Sequence, residues 1–284
     1  MRLIALTALT MVAFAANSIL NRVALADGWA GPSDFATLRL LSGALALVAL
    51  VYLRGGRVLW EMAGRPAGAA ALLVYILGFS FAYVTLDTGV GALILFGGVQ
   101  VTMFAGALIG GERPSAQRWL GAVVALAGLV ALCWPAGAVR PEPTGVALMA
   151  AAAVGWGVYS LLGRGSKAPL PATAANFAIA APVGALVWLV VPEALPMTWQ
   201  GAALAVTSGV VTSGMGYALW YAVLPRLEAS AAALAQLTVP VIAAAGGAVF
   251  LGEVLGLRAV VAGMLVLAGV AIGSSARPVP TGRR

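Results

Sequence analysis

Apolar residues fall in ten long runs, at 3–21, 34–53, 67–86, 89–110, 117–135, 144–163, 171–191, 200–223, 229–251 and 257–275. Each run approaches the roughly 20 apolar residues that a helix needs to cross a hydrocarbon core. The breaks carry turn chemistry: Asp27-Gly28 with Gly31-Pro32, Arg54-Gly55-Gly56-Arg57, Gly111-Glu112-Arg113-Pro114, Pro141-Glu142-Pro143, Pro192-Glu193 with Pro196, and Gly252-Glu253. The third and fourth runs are joined by a very short break at Asp87 and Thr88, and Arg277 to Arg284 form a polar tail. Leu3–Leu20 is too long for the apolar part of a cleavable signal and lacks a clear small-x-small site, so it is expected to be a span. The pattern predicts an all-α polytopic membrane protein of ten transmembrane helices.

Composition gives the solvent. Hydrophobic residues make up 62% of the chain, charged residues 9%, and the mean hydropathy is +1.02. Soluble domains are about 25% charged, so lipid must cover much of this surface and the bilayer is the first partner. The net charge of +7 does not point to nucleic acid, because the basic residues sit in short loops. With the N-terminus in the cytoplasm, Arg2, Arg54, Arg57, Arg65, Arg113, Arg118, Arg164, Lys167, Arg226, Arg277, Arg283 and Arg284 lie inside. Only Arg22, Arg140 and Arg258 lie outside. This positive-inside bias predicts an inner (plasma) membrane protein of bacterial type with both termini cytoplasmic, and requires an even number of spans.

The two halves repeat each other. A shift of 141 residues superposes Ala92-Leu93 on Ala233-Leu234, Gly106-Ala107 on Gly247-Ala248, Gly111-Glu112 on Gly252-Glu253, and Leu126-Ala127-Gly128 on Leu267-Ala268-Gly269. Ser18-x-Leu20-x-Arg22 superposes on Ser160-x-Leu162-x-Arg164 with a shift of 142. The expected units are 1–138 and 139–284, each of five helices. Five is odd, so the repeats must be inverted, a recurring plan of secondary transporters with a site at the midplane.

These features resemble the drug/metabolite transporter superfamily in its EamA-domain form of two five-helix repeats. The resemblance spans about 5–275 and rests on Asn17-Ser18-x-Leu20-x-Arg22, Leu38-Arg39-Leu40-Leu41, the Gly-Glu pairs closing the fourth and ninth runs, and Pro240-Val241-Ile242 before Gly252-Glu253. The first half departs from it: Val99 stands where Pro240 has its repeat mate, and Ala178 near where a second Arg39 would fall. Within the family, the aromatic-rich middle looks most like the YddG-type aromatic amino acid exporters.

Enzyme chemistry finds little support. The chain has no histidine and one cysteine, Cys133, which excludes His-dependent triads, His-metal clusters and an internal disulfide. No Walker-type Gly-Lys-Ser/Thr and no intramembrane carboxylate pair occur, so no cofactor, metal or catalytic residue is expected. Gly-x-x-x-Gly at Gly106/Gly110 and Gly269/Gly273 fits helix packing. Arg39 is the one basic residue well inside a predicted span, and such a charge needs a partner or water. It is expected to cap carbonyls or pair with Asp34 or Asp87, or to act as a gate or an anchor for a substrate carboxylate. Glu112 and Glu253 end helices, and each is expected to cap the helix that follows in sequence.

Polar and aromatic side chains recur with helical spacing. Thr10, Phe14, Asn17 and Asn21 share one face, and Tyr75, Phe79 and Tyr83 another. Phe96, Gln100 and Met103, then Trp156, Tyr159 and Ser160, then Ser213, Tyr217 and Trp220, and Gln236 with the hinge candidate Pro240, complete the set. Trp60, Trp119, Trp134, Trp188 and Trp199 lie near run ends, as interfacial belt residues do. Together the stripes predict a central cavity with aromatic walls and neutral hydrogen-bonding groups. The expected function is secondary export of amino acids or related small metabolites by alternating access. The alternatives are a multidrug exporter of lipophilic cations and a non-transporting assembly protein. Monomer and homodimer both remain open.

Overall fold

A computed structural model describes residues 1–26, 28–58, 65–86, 88–133, 142–191, 193, 196–251 and 256–275. Asp27, Trp60, Asp87, Trp134, Arg140, Glu253, the polar tail and the side chain of Cys133 lie outside the described residues.

Within lipid, every backbone polar group must be paired inside the chain, and the described part is accordingly all helical. The helices are α1 (Arg2–Ala26), α2 (Pro32–Leu53), α3 (Arg65–Ala82), α4 (Thr88–Ile109), α5 (Ala116–Cys133), α6 (Pro143–Gly163) and α7 (Pro169–Val190). There follow α8 (Trp199–Thr207), a π-helical segment (Ser208–Met215) and α9 (Gly216–Val223), then α10 (Ala229–Gln236), α11 (Val239–Leu251) and α12 (Leu257–Ser274). Six stretches are long and apolar enough to cross a membrane, and four shorter apolar helices join them among the described residues. Pro32, Pro143 and Pro169 open helices, where a missing N–H breaks no intrahelical bond. Gly55 and Gly111 close helices at φ +70° and +81°, which explains glycine at those breaks.

Two departures from regular spans matter. The run at 200–223 contains the π segment, and the run at 229–251 is interrupted at Leu237-Thr238, just before Pro240. The Leu237 and Thr238 amides turn back to Leu234 and Ala235 carbonyls at 3.1 Å each. Pro240 then lies in the first turn of α11, where it gives up no helical hydrogen bond.

Packing crosses between the halves. α5 lies along α12, α2 along α7, α3 and α4 along α6, and α1 along α9, the π segment and α11. The α5–α12 seam is backbone against backbone: a Cβ on Gly121 would sit 2.5 Å from the Gly273 amide, and one on Gly269 2.6 Å from the Gly121 carbonyl. Gly106 belongs to a different contact, against the Leu161 side chain of α6. The α2–π contact is equally close, since a Cβ on Gly43 would lie 2.8 Å from the Gly209 carbonyl.

Candidate functional site

That close approach places Arg39 in the middle of the protein. Arg39 is fully buried. Its Nε donates to Ser213 Oγ at 2.7 Å and its Nη2 to the Tyr217 hydroxyl at 2.5 Å. The Tyr217 hydroxyl donates in turn to Tyr75 at 3.3 Å, and the guanidinium carbon lies 5.6 Å from the Tyr75 ring centroid. Among the described residues Nη1 has no hydrogen-bond partner. The expected pairing with Asp34 is not formed: Asp34 Oδ1 accepts from the Trp188 indole at 2.7 Å instead. Among the described acidic residues none pairs with Arg39.

Asn17 holds the π segment from the other side. Its Oδ1 accepts from Ser208 at 2.6 Å, Thr212 at 3.0 Å and Ser213 at 3.4 Å. Asn21, one turn on, donates to the Asn17 carbonyl at 2.9 Å. Ser213 therefore joins Asn17 to Arg39. The π geometry supplies this arrangement by rotating hydroxyls that a regular α-helix would spread over more than one face.

Around this polar line the predicted aromatic faces converge. Trp156 is 4.8 Å from Tyr75, 4.7 Å from Tyr217 and 5.6 Å from Tyr159, centroid to centroid. Phe14 makes edge contacts with Trp156, Tyr217 and Trp220 at 5.1–5.7 Å. Phe79 continues the cluster to Tyr83 at 4.8 Å. Trp156 Nε1 donates to Gln236 Oε1 at 2.5 Å, and Gln236 Nε2 donates to Met103 Sδ at 2.9 Å. Trp220 Nε1 donates to Ser160 at 3.0 Å. The break after Gln236 is what leaves this side chain at a helix end facing Trp156.

Asn17, Tyr75, Phe79, Trp156, Tyr159, Ser213, Tyr217, Trp220 and Gln236 thus come together, while Tyr83 is half-buried at the edge against Gly91. Gln100 is buried one turn from Met103, and neither of its amide atoms has a partner among the described residues. These groups are almost inaccessible and fill one another's space, because the faces of the two halves meet directly. Sequence reasoning also missed Phe177, Tyr221, Ser208, Thr212 and Asn176. Of these, Tyr221 donates to the Tyr159 carbonyl at 3.0 Å, and the run Ser208–Met215, rich in Gly and Ser/Thr, is the one local signal.

Open space lies nearer one end. A cavity of about 610 Å³ is lined by Gly31, Pro32, Thr85, Glu142, Leu148 and Glu193 among others. Glu142 caps α6, accepting from the Thr144 and Gly145 amides at 3.0 and 2.6 Å, and these bonds hold its carboxyl below the ordinary glutamate range. Glu193 caps α2 from the far half, accepting from the Ser33 amide at 2.6 Å and from the Ser33 hydroxyl. From Leu148 to Trp156 is eight positions along α6, about 12 Å of helix.

The opposite end is tied. Glu112 does not cap the helix that follows it; Ser115 does so, accepting from the Arg118 amide at 3.2 Å. Glu112 reaches instead to the start of α10, accepting from the Ala229 amide at 2.8 Å, and pairs with Arg164 at 3.0 Å. Arg118 pairs with Glu228 and donates to Ser230 at 3.0 Å. Among the belt candidates, Trp199 is 77% exposed, but Trp188 also ties α7 to Asp34 of α2.

Comparison with known proteins adds lineage. The model of the EamA-like transporter family matches residues 143–275. An uncharacterised Pseudomonas aeruginosa protein is 47% identical over 271 residues, 95% of this chain and 94% of its own. An Archaeoglobus fulgidus protein named an uncharacterised transporter is 25% identical over 248 residues, 85% of this chain and 88% of its own. A solved structure titled only as that of a protein superposes with a TM-score of 0.77 at 22% identity, covering 94% of this chain and 98% of that one, a likeness of fold.

Proposed function

We propose that this chain, which belongs to the EamA-like transporter family, exports amino acids with aromatic or other neutral side chains, or related small metabolites, as the YddG-type exporters do. The observation that carries the reading is the convergence of Tyr75, Trp156, Tyr217, Trp220 and Gln236, from both halves, on one buried centre. Aromatic faces with a few neutral hydrogen-bonding groups suit solutes that have an apolar body and a polar head. The centre is reached by ten spans in two inverted repeats, with both termini cytoplasmic. Packing supports that plan: exchanging the halves turns the α3–α6 contact into α9–α1, the α4–α6 contact into α11–α1, and leaves α5–α12 and α2–α7 unchanged.

Alternating access then has two ends to work with. The end of Glu142 and Glu193 is hollowed, and the end of Glu112 and Arg164 is bridged between halves. Export requires the bridged end to open toward the cytoplasm so that the solute reaches the aromatic centre. Re-closing the bridges and parting the aromatic faces releases it into the hollow. The test is efflux of labelled phenylalanine, tyrosine, leucine and alanine from proteoliposomes. Saturable efflux of at least one, lost in Trp156→Ala, is expected; leak-level flux of the whole panel would remove the reading.

A further inference from the structure

Arg39 carries a charge that no described residue compensates. Its side chain is fully buried in the middle of α2, seven positions past Pro32, or about 10 Å of helix. Two of its nitrogens are held by neutral hydroxyls, and the third, Nη1, donates to none of the described residues. A buried cation at membrane depth is costly unless an anion or water offsets it. The described acidic residues are occupied elsewhere: Asp34 with Trp188, Glu112 with Arg164, Glu228 with Arg118, Glu142 and Glu193 as helix caps. Tyr75 accepts the Tyr217 proton and has its own O–H to give.

We propose that Arg39 is the anchor for a carboxylate on the transported solute. One carboxylate oxygen takes the free Nη1 of Arg39, the second accepts from Tyr75, and the apolar body stacks in the Trp156, Phe79 and Phe14 cluster. This rests on the export reading above and narrows it to a substrate class. Solutes must carry a carboxylate next to an apolar or aromatic body; decarboxylated amines and lipophilic cations are rejected by the buried positive charge. Ser213 and Asn17 position the guanidinium and do not touch the solute. In the present packed state the Tyr217 and Ser213 hydroxyls hold the Nη2 and Nε sides of the guanidinium and leave Nη1 for the carboxylate.

The test separates binding from transport. Purified protein in lipid nanodiscs is unfolded thermally with phenylalanine, 3-phenylpropionate, phenethylamine, or sodium chloride at matched ionic strength. The wild type is expected to gain stability from the two carboxylates and not from the amine or from chloride. Arg39→Gln is expected to need roughly ten- to a hundredfold more carboxylate for the same gain, the range of a lost charge-assisted hydrogen bond. Arg39→Lys keeps the charge without the planar fork and is expected to fall between, and it serves if Arg39→Gln does not fold. Four outcomes overturn the proposal: equal stabilisation by phenethylamine, equal stabilisation by chloride, no stabilisation by either carboxylate, or an unchanged dose dependence in the variants. Carboxylate binding without efflux from proteoliposomes would remove the export reading and leave the anchor. Efflux with wild-type dose dependence in Arg39→Gln and Arg39→Lys would remove the anchor and leave the export reading.

Discussion

The two halves expected from the sequence build the centre differently. In the first half α3 and α4 are regular helices. Their counterparts in the second half are interrupted, one by the π segment and the other by the break after Gln236. The irregular half presents neutral groups to the middle: Ser208, Thr212 and Ser213 from the π segment, and Gln236 from the helix end. The regular half supplies the charge, Arg39, and the amide that orders the hydroxyls, Asn17. The polar chemistry is thus divided between the halves by where the backbone departs from α-helical geometry.

The largest expected effect comes from moving an interruption to the regular half. Val99 is the repeat mate of Pro240 at a shift of 141 residues and lies inside α4. Val99→Pro removes a helical hydrogen bond and clashes with the preceding turn, a cost of about 3 kcal/mol or more. Pro240→Ala touches no helical bond, and its effect on stability is expected within about 1 kcal/mol. Chemical or thermal unfolding of both variants in the same lipid checks this. Similar losses in the two would mean that the break does not depend on residue type.

A smaller contrast lies in two glycines that are also mates at 141, Gly68 and Gly209. A Cβ on Gly209 would overlap the Arg39 carbonyl, which is backbone and cannot turn aside. A Cβ on Gly68 would lie 2.9 Å from Asn176 Oδ1, the tip of a side chain that can rotate. Gly209→Ala is expected to cost about 1–3 kcal/mol and to disturb Arg39, and Gly68→Ala well under half of that. Unfolding midpoints and amide exchange around Arg39 would show it, and equal losses would refute the backbone argument.

Much of this was legible in the sequence for a physical reason. Helical periodicity reports which side of a helix is polar or aromatic, so the faces of Tyr75, Trp156, Tyr217 and Gln236 could be read directly, as could the interruption near Pro240. Periodicity says nothing about what lies opposite. Glu112 was expected to cap its own next helix because sequence shows only near neighbours; its partner Ala229 is 117 positions away. Asn17 had no visible acceptor role for the same reason, since its donors lie 191–196 positions on. The π segment winds more residues into each turn, so a pattern assuming 3.6 residues puts Ser208 and Ser213 on different faces and misses that they meet at Asn17. Residue type tells which groups can line a site, but not how closely the two halves press them together.

The smallest effect concerns a difference between the first helices of the two halves. α6 begins with the Glu142 cap, whereas α1 has no acidic residue in its first turn. The Thr144 and Gly145 amides donate to the ionised Glu142 carboxylate and hold its carboxyl below the ordinary value of 4.5. A carboxyl depressed in the folded state stabilises fully above its unfolded value, and that contribution is lost as pH falls through the lowered folded value. Because Glu142 sits at the surface, the effect is expected to be local: fraying of the first turn of α6, with global stability nearly unchanged. Amide exchange of residues 144–146, corrected for intrinsic rates, should be protected near pH 7 and lose protection as pH falls below the ordinary glutamate value. Glu142→Gln should already be frayed at pH 7 and show little further change on acidification, with α1 serving as the reference helix in both proteins. If the variant loses protection over the same pH range as the wild type, another group controls the start of α6, and the cap has no part in setting the rim of the hollow where Glu142 and Glu193 face the same space.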